Sequence, residues 1–217
     1  MKKWIKRFIS ISMVIVLMFI ISIPVMASSI QPRIDFVATV KIVAYEGQGL
    51  TSFGSGYYGH AFIVVTNTAN YEITVGHMPV PVGESITIGT FGNRDAHKGI
   101  WYNIEGYFRV PNDTYALSVS CTVSELADLN EAINSLDSWS YTENCCAFAV
   151  NVWNASPSPL KVSGMFPATL VQSIKSHSVH LVNTEIPVKT IISIARHTED
   201  SYELDWLGGI AAGGSSG

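Results

Sequence analysis

The triplet Asn144-Cys145-Cys146 opens the apolar run Ala147-Phe-Ala-Val-Asn-Val-Trp153, and far upstream Gly59-His60 opens another, Ala61-Phe-Ile-Val-Val65. A cysteine thiolate paired with an imidazole attacks amide or ester carbonyls and forms an acyl-enzyme. Residues Cys145, Phe148, Ala149, Val152 and Trp153 recur at helical spacing, which predicts an amphipathic helix. Asn144 is a strong N-cap type, so Cys145 takes the first helical position. The N–H groups of Cys145 and Cys146 then lie outside the helical ladder and form a candidate oxyanion site, beside a macrodipole end that favours thiolate. Cys146 is rotated about 100° from Cys145. The alternative is that both cysteines are small buried hydrophobes, a common fate for a free thiol.

The imidazole needs a partner that sets its tautomer and orientation. If Asn67-Thr-Ala-Asn70 closes a tight hairpin, His60 falls directly opposite His77 on the same face, with Cβ atoms roughly 5 Å apart. His77 is therefore the expected orienting residue, and a one-residue slip would separate the two. Tyr57 and Tyr58, in a segment with glycines at 47, 49, 54, 56 and 59, are candidate substrate-binding residues, as are Tyr141 and Asn144. The glycine-rich segment reads equally as a lid or as a surface loop.

The elements that must position these residues follow from period and turn signals. Strands are predicted at 35–45, 60–66, 71–75, 85–88, 100–109 and 114–121. A helix over 124–136 is capped by Thr122 or Ser124; the cysteine helix ends at Ser156-Pro-Ser-Pro159; a third helix covers 167–175 and a last strand 190–194. Strands first and helices later predict an α+β fold, an antiparallel sheet packed against helices.

Lys2, Lys3, Lys6 and Arg7 precede an apolar stretch, then Pro24 and the small-residue pattern Val25-Met-Ala27. Residues 1–27 read as a signal peptide; an uncleaved anchor is the alternative. No cysteine follows that stretch, which argues against a lipid anchor. Residues 28–207 then form one domain and 208–217 a flexible Gly/Ser-rich tail. Cleavage removes four positive charges, taking the formal charge from −4 to −8, which argues against nucleic acid as a partner. No stable membrane insertion is expected after cleavage, and the destination is the extracellular or cell-wall space. Cys121, Cys145 and Cys146 are an odd set for an exported chain. A Cys121–Cys146 bridge would leave Cys145 free. No Cys/His spacing suggests a metal, and no cofactor is expected.

The pieces Gly59-His60-Ala-Phe-Ile63, then His77, then Asn144-Cys145-Cys-Ala-Phe148 resemble, over roughly residues 36–155, the circularly permuted papain-like fold of lecithin retinol acyltransferase-like proteins and related bacterial hydrolases. In that group the histidine strand precedes the cysteine helix. The resemblance implies Cys145 as nucleophile, His60 as general base and His77 as third member. It implies a secreted bacterial thiol protease, a cysteine peptidase or hydrolase of amide or ester bonds, with cell-wall peptide as the substrate suggested by export. A lipid acyltransferase or thioesterase using the same site is one alternative, and a non-catalytic exported binding module another.

Overall fold

The structure is a computed structural model that describes residues 35–47, 59–92, 97–106, 113–137, 140, 142–187, 189, 191–199 and 201–209. The expected signal segment, Tyr57, Tyr58, Tyr141 and residues 210–217 of the expected tail lie outside the described residues.

β-Branched and aromatic residues fill the first two long strands, β1 (Phe36–Tyr45) and β2 (His60–Asn67), as a pleated surface buried on both sides favours. Next come β3 (Ile73–Val75), β4 (Met78–Val80), β5 (Ser85–Gly89), β6 (Ile100–Tyr102), β7 (Tyr115–Thr122), β8 (Leu181–Val182), β9 (Ile191–His197) and β10 (Tyr202–Gly209). Eight of these make one sheet in the order β10-β9-β6-β5-β2-β1-β7-β8, with every neighbouring pair antiparallel. β3 and β4 form a separate two-stranded ribbon.

Three helices lie among the described residues: α1 (Val123–Asn134), α2 (Cys145–Ala155) and α3 (Pro167–Lys175). Each starts where local chemistry directs. Thr122 caps α1 in a reciprocal box with Glu125, Asn144 caps α2, and Pro167 supplies the preset φ at the first turn of α3. Their apolar stripes share one core with Ala38, Val40 and Ile42 of β1 and Ala61, Ile63 and Val65 of β2. Leu129, Ile133, Phe148, Val152, Trp153, Leu170 and Ile174 are the helical side of that core, and each such side chain contributes roughly 1.5–3 kcal/mol by leaving water. Val43, Tyr45, Phe62, Val64 and Ala116 form a smaller cluster. Over the described residues the molecule is thus an α+β fold, a large antiparallel sheet with three helices. Among the described residues no helix is long and apolar enough to cross a membrane.

Four expectations need correction. The tight hairpin at 67–70 does not form. Asn67 instead makes an Asx turn, its Oδ1 accepting from the Ala69 N–H at 2.8 Å and its Nδ2 donating to the Tyr71 and Val80 carbonyls at 2.8 Å each. Residues 68–84 leave the sheet as an excursion carrying β3 and β4, and β5 takes the place beside β2. The predicted strand at 100–109 ends after Tyr102, because Asn103 adopts φ 62° and a 3-10 turn follows at Ile104–Gly106. Asparagine tolerates that left-handed conformation better than most residues. The chain also closes with a further strand, β10, which takes in Gly208 and Gly209 of the expected tail. Finally, Cys121, Cys145 and Cys146 are all free, so Cys121 and Cys146 are not bridged.

Candidate active site

The cysteine pair sits where cap chemistry places it. Asn144 Oδ1 accepts from the Cys146 N–H at 2.9 Å and the Ala147 N–H at 3.1 Å. Its Nδ2 donates to the Met165 carbonyl at 2.9 Å. Asn144 is almost fully buried, and its amide holds the helix start in place; it does not present itself as the substrate contact expected of it. The same bonds revise the expected oxyanion pair. The Cys146 N–H is committed to Asn144, which leaves the Cys145 N–H as the member of that pair still able to donate to a substrate oxygen. Cys145 is half-buried and Cys146 completely buried. The apolar face of α2 is broad enough to include Cys146, so Cys145 stands at its edge, towards the sheet.

His60 is the first residue of β2, paired across from Tyr45 of β1. Its Nε2 lies 3.2 Å from Oε1 of Glu105, a carboxylate with no solvent-accessible side-chain surface. The other carboxylate oxygen accepts from the Thr87 hydroxyl of β5, and Thr87 is itself fully buried. With Nε2 engaged by the carboxylate, Nδ1 is the ring nitrogen left for the Cys145 thiol, whose charge and hydrogen bonding act on His60. Phe62 stacks on the imidazole at 5.7 Å between ring centroids and Tyr45 meets it edge-on at 6.3 Å. A ring face at that distance favours the charged imidazolium.

The sheet makes room for this cluster by parting. The β2–β5 ladder ends at Ile63 opposite Ile88. Beyond that last pair, the Ala61 N–H acts on the Cys145 sulfur and lowers its pKa. Glu105 reaches the same gap because of Asn103. The Asn103 side chain accepts from the Thr87 N–H at 3.3 Å and donates to the Ile191 carbonyl at 3.2 Å, while its left-handed backbone turns the chain back over β5.

These contacts set the protonation states. The Cys146 thiol donates to the Cys145 sulfur and lowers its pKa, burial pushes the other way, and the charge and hydrogen bond of His60, with the Ala61 N–H, bring it well below the ordinary thiol value. Of these, His60 supplies a full positive charge. Burial alone depresses His60, but the charge and hydrogen bond of Cys145, and then Glu105, carry it up to about 10. Both shifts favour thiolate at Cys145 and imidazolium at His60. Cys146, as donor to that thiolate and buried, is pushed up. Burial raises Cys121 to about 11, with Glu125 adding to the effect.

His77 is placed elsewhere. It sits with Gly76 at the tip of the β3–β4 ribbon, where Val75 pairs with Met78 and Gly76 takes φ 59°, a Gly-X hairpin turn. Its ring stacks on Tyr202 at 3.8 Å, its N–H donates to the Tyr102 hydroxyl at 2.8 Å, and burial lowers its pKa. Glu105 holds the position at His60 that His77 was expected to hold. Glu105 and Thr87 were missed because both lie in stretches that read as ordinary strand. The usable signal was a lone acid in the aromatic and apolar stretch Ile100-Trp-Tyr-Asn-Ile-Glu105; a carboxylate buried there requires a partner.

Gly59 is needed for the approach of these parts. A Cβ there would collide with the Tyr45 carbonyl and lie 2.5 Å from Pro167 Cβ and 2.7 Å from the Gly47 nitrogen. Two of those neighbours are backbone, so Gly59→Ala must displace the residue before His60. The expected result is a loss of about 1–3 kcal/mol in thermal or denaturant unfolding, with slower Cys145 alkylation at neutral pH. Wild-type stability and wild-type alkylation in that variant would contradict this packing.

Among the described residues no group of three His, Cys, Asp or Glu side chains is placed to hold a metal ion. The chain matches no family model, no curated protein and no solved structure. Its functional reading therefore rests on the arrangement of Cys145, His60 and Glu105.

Proposed function

We propose that this chain is an exported cysteine hydrolase that cleaves amide or ester bonds, built as a circularly permuted papain-like arrangement in which the histidine strand β2 precedes the cysteine helix α2. The observation that carries the reading is the relay from the Cys145 thiol to His60 and from His60 to buried Glu105. A nucleophile, a base and a group that orients the base is the constellation that nucleophilic acyl transfer needs. Free Cys145, not bridged to Cys121, counts against the non-catalytic binding module. Cell-wall peptide is the proposed natural substrate, on the strength of the export signal.

In this mechanism the Cys145 thiolate attacks the carbonyl carbon, and the developing oxyanion is met by the Cys145 N–H. The bond to the leaving group breaks as His60 gives that group its proton. Neutral His60 then takes a proton from water, whose oxygen displaces the sulfur and releases the acid. Glu105 keeps the ring oriented in both half-reactions.

Amide cleavage needs the proton on His60, so activity is expected to hold through neutral pH and fall as pH rises through about 10. On the acid side it should persist below the ordinary thiol range, because Cys145 is lowered. The test is reaction with p-nitrophenyl acetate followed by peptide mass spectrometry. An acetyl adduct on the Cys145 peptide, formed with a burst of p-nitrophenol and absent from Cys145→Ala, is the expected result. Absence of an adduct, or its appearance on another residue, would contradict the proposal.

A further inference from the structure

The segment just before α3 touches both halves of the candidate site. The Met165 carbonyl is bonded by Asn144, the residue before the nucleophile. Pro167 packs on Gly59, the residue before the base. Between these two anchors, Met165 and Phe166 leave 51% and 57% of their surface exposed.

Their exposure does not come from a loosely tethered backbone. The Phe166 N–H donates to Thr169 Oγ1 at 3.2 Å, and its carbonyl accepts from that hydroxyl at 2.8 Å and from the Leu170 N–H at 3.0 Å. Gly164, at φ 153°, lets the chain pass against the Leu170 backbone, where a Cβ would lie 2.5 Å from the nitrogen. The fold thus holds two large apolar side chains out of its core on the segment that joins the cap of the cysteine helix to the residue before His60. Leu181 and Val182 on β8 and Trp206 and Leu207 on β10 are also exposed, and these lie on the two edge strands of the sheet. Two carboxylates lie on or against the elements that hold the segment and add a second constraint. Glu46 accepts from Gln172 of α3 at 3.4 Å, and Glu143 directly precedes Asn144. An anionic group would be repelled there, whereas an uncharged apolar one gains contact area.

We infer that Met165 and Phe166 form the subsite for the acyl side of the substrate, and that this subsite takes an uncharged apolar acyl group. The inference rests on the hydrolase reading above and names its substrate class. The group is either an apolar amino-acid side chain next to the scissile carbonyl or a fatty-acyl chain. In either case the carbonyl carbon gains the Cys145 sulfur, the leaving group departs with the bonding pair, and water later replaces the sulfur.

The experiment compares kcat/KM for p-nitrophenyl acetate, hexanoate and succinate, and for the p-nitrophenyl ester of N-acetyl-phenylalanine. Wild type is expected to favour hexanoate or the phenylalanyl ester over acetate by at least about tenfold, within the range that apolar pockets give, and to disfavour succinate. Preference for the phenylalanyl ester identifies a peptide source; preference for hexanoate, a lipid one. The double change M165S/F166S should bring the apolar-to-acetate ratio to about one, and M165L/F166L should restore it. Ester cleavage in wild type without an apolar preference, or a preference untouched by M165S/F166S, overturns the subsite and leaves the hydrolase standing. No ester cleavage in wild type, with iodoacetamide alkylating Cys145 no faster than an ordinary thiol, overturns both.

Discussion

Replacing His60 with alanine is expected to slow Cys145 alkylation by up to about 100-fold at about pH 6. An ordinary thiol of pKa about 8.5 is only about 0.3% thiolate at that pH. Cys145, held well below the ordinary thiol value, carries the larger thiolate fraction. The gain in that fraction is bounded at about 300-fold, and the lower intrinsic nucleophilicity of a low-pKa thiolate removes part of it. Without His60, burial pushes the thiol up and the full positive charge is gone, while the Cys146 and Ala61 bonds remain. Rates for wild type and His60→Ala across pH, read on the Cys145 peptide, check this. The variant curve should turn at higher pH than that of the wild type. Superimposed curves would mean that the helix terminus and Cys146 alone make the thiolate.

The second large effect is expected at Glu105. Glu105→Gln keeps the shape, since an amide can still accept from His60 and meet the Thr87 hydroxyl. It removes the negative charge that helps hold His60 at about 10. Hydrolysis is expected to fall by roughly 10²-fold or more, and the alkaline limb of an amide-cleavage profile should move to lower pH. Glu105→Ala goes further, because Thr87 and His60 are then buried without their partner. Breaking a buried pair in this way costs about 3–5 kcal/mol. His77→Ala is the contrasting variant. It loses a stack on Tyr202 and should leave the profile in place. If His77→Ala shifted the alkaline limb and Glu105→Gln did not, the assignment of the orienting residue would be wrong.

How far the sequence could be read depended on whether a feature was local. Asn144 before Cys145, Thr122 with Glu125, and Pro167 are cap signals confined to one turn, and each helix begins where those residues put it. The β-branched, apolar character of β1 and β2 is local as well. The orienting residue was not. It depends on which strand lies beside β2, and that is decided by an excursion of residues 68–84 whose Asn67 turn and Gly76-His77 turn replace one hairpin with two. A Gly-X pair between Ile73-Thr-Val75 and Met78-Pro-Val80 marked the second turn in the sequence. Glu105 depends on Asn103 reversing the chain after three residues of β6, which propensity alone does not reveal. β10 was legible in the alternation of Tyr202, Leu204 and Trp206 with Glu203 and Asp205.

The central claim is that Cys145 is a thiolate paired with His60 at neutral pH. The most direct measurement is iodoacetamide alkylation of residues 28–217 across pH, with mass spectrometry following the Cys121, Cys145 and Cys146 sites separately. The account predicts rapid Cys145 labelling that persists well below about pH 8, while Cys121 and Cys146, both completely buried and pushed up, stay unlabelled in the folded protein. A Cys145 that labels no faster than those two, or that follows the curve of an ordinary thiol, would contradict it.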